Sequence, residues 1–267
     1  MTPTQSSRPT LQLAGMALLN GVLIIGPTHW AAAVRDSSGG ITIASRRRVQ
    51  AGVLTSLPVI RGPLRLAEML SVLPAVRVSL PAARLPMESP RVAAVMLAGN
   101  ALSHAVRLRR GRGTIADPMV AAGTLATMLA VLHGSALSQY HGAEHKAIGG
   151  YEQGIPAAAA AKEHERCGTH LAVPMVVINL LSHGAARAII RRSPATASLL
   201  GSVVGLVGST ELIRQLQRSG PRTPILKLIR GIGMGLQSRA STREPRADQL
   251  AVAEAALARL LEVETAA

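Results

Sequence analysis

From Pro118 to Ser138 the chain runs for 21 residues (PMVAAGTLATMLAVLHGSALS) without one charged side chain. So long an uncharged run must leave water, either for lipid or for a protein core. As a helix rising 1.5 Å per residue it matches a hydrocarbon layer of about 30 Å. Two later runs resemble it. Leu171–Ile190 is interrupted by Asn179, His183 and Arg187, and the short, glycine-rich Ala195–Thr210 ends at Glu211. For these two, buried helices of a non-membrane core are an equal reading. The expectation is a mainly α, helical integral membrane protein with a small N-terminal β-hairpin element. It would be multi-pass in the cell membrane, with the lipid bilayer and a membrane-protein partner as its surroundings.

The distribution of arginine supports that expectation. The 267-residue chain carries a net charge of +15, yet only 16% of its residues are charged. The cations cluster beside apolar runs, as Arg46–Arg48, as Arg107, Arg109, Arg110 and Arg112, and as Arg187, Arg191 and Arg192. Cations so placed flank lipid, and the 107–112 block belongs on the cytoplasmic side. The 214–246 stretch, with eight Lys or Arg and only Glu244 as an acid, would share that side. Nucleic acid is the rival partner for so basic a chain and is not expected. Phe is absent and Trp and Tyr total three, so stacking platforms for bases are lacking. A core without aromatics must be aliphatic, which suits helix packing. The single cysteine, Cys167, excludes an internal disulfide.

Five segments follow from the pattern: a loose tail over 1–10, a glycine-rich motif and hairpin over 11–50, amphipathic or interfacial helices over 51–112, membrane helices over 113–213, and a basic segment with a terminal amphipathic helix over 214–267. Between His29 and Ile43, apolar residues flank DSSGG, a hairpin signal. The apolar run 11–26 also reads as a signal peptide with Ala31–Ala33 as its cleavage site, although Asn20 interrupts it. Near the end, Leu250, Ala253, Leu257, Leu260 and Leu261 recur at helical spacing behind Pro245, forming a face that packs on a partner surface.

One dense polar cluster stands out: Tyr140-His141-Gly142-Ala143-Glu144-His145-Lys146, then Tyr151-Glu152, then His164-Glu165-Arg166-Cys167. On a helix His141 and His145 share a face, with Glu144 beside them. Two imidazoles so spaced grip one divalent ion, zinc foremost. H-x-x-E-H is the reversed zincin order, in which the glutamate is the base and a distant residue completes the ligand set. Glu152, His164 and Cys167 are the candidates for that place, and a thiolate among them favours zinc or iron over magnesium. Arg166 or Lys146 would stabilise a developing oxyanion.

The same residues resemble a family. YHGAEHKAI, the Tyr151-Glu152 pair and HERCGT are similar to the hallmark of the YqhQ-like bacterial membrane proteins, a domain of unknown function. Gly15–Pro27, Ala33-Val34-Arg35, Ile60-Arg61-Gly62 and Thr242-Arg243-Glu244-Pro245 resemble its other motifs. The resemblance implies a metal-dependent membrane enzyme with a helical core and a small β element. It departs at Asn20 and Ile25, where the family's motif has an acid and an arginine. Two functions are therefore expected in competition. One is a metal-dependent hydrolytic enzyme with Glu144 as base. The other is a non-catalytic scaffold or regulator whose metal site is structural.

Overall fold

Strands β1 (Ala14–Ala17), β2 (Gly21–Ile25), β3 (His29–Arg35) and β4 (Ile41–Arg47) form an antiparallel meander in the order β1-β2-β3-β4. The computed structural model describes residues 11–57, 59–110, 116–133, 135–164, 167, 172–219 and 223–266. The DSSGG signal is the β3–β4 turn. Asp36 accepts the amides of Ser38 and Gly40 there, and Gly39 takes φ +86°, a left-handed conformation that glycine adopts without strain. The expected hairpin is half of a larger sheet, because the run read as a signal peptide pairs as β1 and β2. Ala31–Ala33 lie mid-strand in β3 and are fully buried.

The sheet is covered on both faces, which explains why β2 is apolar at every position. One face turns Val22, Ile24, Ala31 and Ala33 toward Leu137, Tyr140, Ala143 and Ala147 and toward Val252, Ala256 and Leu260. These residues belong to α4 (Ala136–Gln153) and α8 (Ala247–Thr265). The alanines of β3 leave room for α8 to approach. The other face turns Leu23, Ile25, Trp30 and Val34 toward Val72, Val76 and Leu80, mostly from α1 (Arg61–Ser79). Thus α1 is one layer of the core, and the terminal helix expected to dock on a partner docks on its own sheet. Glu264 secures that end by accepting the Thr28 and His29 amides at 2.8 and 2.7 Å.

Further helices are α2 (Pro90–Arg110), α3 (Ala116–Leu132), α5 (Ala172–Ile189), α6 (Pro194–Ser219) and α7 (Pro224–Leu236). Among the described residues no helix is long and apolar enough to cross a membrane. The expected integral, multi-pass membrane architecture with transmembrane helices in the cell membrane is corrected accordingly: the fold is mainly α with a four-stranded antiparallel sheet. The physical reason lies in the run that raised the expectation. Pro118–Ser138 is two helices, since α3 ends at Leu132 and Ser135 caps α4 by accepting from the Ser138 amide. The other two candidate runs pair as α5 and α6. Gly201 meets His183 and Gly205 meets Asn179 so closely that a Cβ would collide with either side chain.

Candidate metal centre

Helix α4 organises the polar cluster by offering three stripes to three neighbours. Ser138, Gly142 and Lys146, spaced by four, face the segment after α7. The Arg243 amide donates to the Ser138 carbonyl at 2.9 Å, and a Cβ on Gly142 would lie 2.0 Å from the Arg243 carbonyl oxygen. Lys146 closes this stripe with an ion pair to Glu244 at 2.6 Å. Glu144 faces the sheet and packs on Gly15 of β1, where any side chain would strike its carboxyl group. His141 and His145 face the connection between α4 and α5, their ring centroids 4.4 Å apart.

Both imidazoles are oriented by backbone carbonyls. His141 Nδ1 is 2.9 Å from the Ser241 oxygen, and His145 Nδ1 is 2.7 Å from the Lys162 oxygen. A carbonyl only accepts, so each Nδ1 carries the proton and each Nε2 presents a lone pair. The Cys167 sulfur lies 3.2 Å from His141 Nε2. One ligand atom from each of His141, His145 and Cys167 lies within 4.8 Å of the others. Donors on a tetrahedral zinc stand roughly 3.6 Å apart for an N–S pair, so His141 and Cys167 are within a few tenths of an ångström of that spacing, and the widest separation of the set would close by about 1 Å to admit the ion. Imidazoles that donate their second N–H to a carbonyl are the usual arrangement at such centres.

Of the three distant candidates, Cys167 joins the histidines. Glu152 and His164 instead meet each other, His164 Nε2 to Glu152 Oε2 at 3.0 Å. Burial pushes the His164 imidazole below its ordinary pKa, so this contact is read as a neutral ring donating to the carboxylate. The His164 ring still stands 5.7 Å from that of His145, bordering the cluster. Arg166 lies outside the described residues. Burial raises the Glu144 carboxyl to about 8, offset in part by His141 and reinforced by Cys167.

The residues that brace this cluster carried little sequence signal. Gln237 opens a π-turn (Gln237–Ser241) that continues from α7. Its side chain accepts the His164 amide at 2.9 Å and donates to the His164 carbonyl at 3.1 Å. Lys162 Nζ reaches the Ser238 carbonyl at 3.0 Å, tying the same two segments together. Only the neighbouring Thr242–Pro245 motif marked this region. The carbonyls of Lys162 and Ser241 act through backbone atoms that every residue type shares.

A family described as "Protein of unknown function (DUF1385)" matches residues 126–263. The chain belongs to this family. The YqhQ-like proteins that the motifs resemble are DUF1385 proteins. The match runs from within α3 to near the end of α8, so the three converging donors, Glu144 and the π-turn lie inside the DUF1385 region, whereas the four strands precede it. No curated protein and no solved structure matches the chain.

Proposed function

We propose that His141, His145 and Cys167 bind a divalent metal ion, zinc foremost, and that the protein is a metal-dependent hydrolase. The supporting observation is the convergence of three donors whose two imidazoles are each locked, through Nδ1, in the ligating tautomer. Two nitrogens and a sulfur suit zinc better than magnesium or calcium. Three protein ligands are the number used where a fourth position serves chemistry, and four the number used where the metal is structural. Bound there, the ion would supply Lewis-acid polarisation of a carbonyl or phosphoryl oxygen.

The chain's own groups complete the assignment. Glu144, buried beside the donor helix face, takes up and returns the proton. Gly15 and the sheet behind it exclude water from that carboxyl group. Glu152 orients His164 at the border of the site. Lys146 serves through Glu244, holding the segment that presents the Ser241 carbonyl.

Elemental analysis of purified wild type, His145→Ala and Cys167→Ser tests the metal. About one equivalent in wild type, lost in both variants, is expected; no stoichiometric metal in wild type overturns the reading. Chromogenic ester, phosphoester and peptide substrates test the chemistry. Glu144→Gln should retain the metal and lose turnover by about 10²–10⁴-fold. Metal-loaded wild type inert toward every class would instead support the structural-site alternative.

A further inference from the structure

We infer that Gln237 is a positioning residue for this centre, coupling the sulfur ligand's segment to the carbonyl that orients His141. The inference rests on the metal reading above. Gln237 is fully buried and its carboxamide grips the main chain of His164 from both sides, as acceptor from the amide and donor to the carbonyl. His164 is three residues before Cys167, and the Cys167 amide donates to the His164 carbonyl at 3.2 Å. Gln237 therefore shares an acceptor with the sulfur ligand's own backbone. Its own carbonyl accepts the amide and the hydroxyl of Thr242, at 3.0 and 2.9 Å, closing the π-turn. Ser241, whose oxygen accepts the hydrogen bond from His141 Nδ1, lies inside that closed turn.

The pattern singles out glutamine. An amide side chain can pair with an N–H and a C=O of the same residue, whereas Glu retains the first bond alone and Leu neither. Inserted π-turns recur at functional sites, and here the turn redirects one carbonyl onto an imidazole. Groups that orient metal ligands change affinity by about 10–100-fold when removed, although they never touch the ion.

The test compares wild type, Gln237→Leu, Gln237→Glu and Gln249→Leu. Gln249 is also buried, on α8, but it bonds to Gln139 and to the Arg246 amide, away from the loop. Cobalt(II) titration reads affinity and the intensity of the visible bands of a tetrahedral thiolate site. Hydrogen exchange on metal-free protein reads the His164 amide. Gln237→Leu should weaken cobalt binding about 10–100-fold, dim the tetrahedral bands and expose the His164 amide. Gln237→Glu should fall between it and wild type, and Gln249→Leu should lower the melting temperature with affinity within about twofold of wild type. Unchanged affinity and spectrum in Gln237→Leu, or an equal loss in Gln249→Leu, overturns the inference. Absence of cobalt binding by wild type defeats the metal reading instead. The exchange arm then decides by itself whether Gln237 holds the loop, and continued protection of the amide in Gln237→Leu sinks that too.

Discussion

Single residues decide how closely the segments of this protein approach α4. Gly142 is the strictest case. A methyl group there would meet the Arg243 carbonyl, and that backbone is already committed to Ser138, so it has no cheap way to retreat. Gly142→Ala should cost about 1–3 kcal/mol or more by urea denaturation. Gly123→Ala on α3 should instead gain about 1 kcal/mol, since nothing lies within 4 Å of the added Cβ and alanine is the better helix former. Equal effects at the two positions would refute the packing argument. Asn20 illustrates a different constraint. Its amide nitrogen donates to the Arg35 and Ala82 carbonyls at 2.8 and 2.9 Å, and its oxygen accepts the Arg84 amide at 2.9 Å. A carboxylate could not make the two donated bonds, so asparagine is what staples the β1–β2 turn to the segment after α1.

At the scale of elements, a guanidinium fork ties α1 to α6. Arg61 donates from Nε and Nη2 to the Glu211 carboxylate of α6 at 2.6 and 2.5 Å, and Gly62 beside it admits Thr210. Hydrogen bonding from Arg61, reinforced by Arg214, holds the Glu211 carboxyl down at about 2, against an ordinary value of 4.5. A depressed folded-state value means that the contribution is full above pH 4.5 and fades as pH falls toward 2. Urea midpoints measured down that interval should fall less steeply in Glu211→Gln than in wild type. The other lowered acids, Asp36, Asp248 and Glu264, act equally in both proteins. Parallel curves would show that the α1–α6 fork does not contribute. Element boundaries were partly legible: the terminal helix and the DSSGG turn fall where local spacing puts them. The break between α3 and α4 was not. A serine cap inside an apolar run is a weak signal, and a helix pair reads like one long span until the neighbours of each half are known.

At the scale of the molecule, the centre draws its parts from places far apart in the chain: α4, the connection that carries Lys162 and Cys167, and the π-turn near residue 240. A bound metal must therefore stabilise the assembled fold and not merely one helix. Ligand at 100 times its dissociation constant adds about 2.7 kcal/mol, so zinc should raise the melting temperature of wild type and leave His145→Ala unmoved. Equal shifts would mean binding elsewhere. The primary structure alone settled what repeats over a few residues: the shared face of His141 and His145, the amphipathic terminal helix and a largely aliphatic core, although Trp30 and Tyr140 are buried in it. Helical and strand periods are local, and side-chain chemistry travels with them. Tertiary structure decided the rest: that Cys167 comes within ligand reach of the two imidazoles while His164 pairs with Glu152 at the border, that the apolar N-terminal run is sheet covered on both faces, and that the uncharged run 118–138 is divided between α3 and α4 with Ser135 as the cap of α4. These outcomes depend on which distant surface covers a segment, and burial against protein and burial in lipid write the same apolar letters into a sequence.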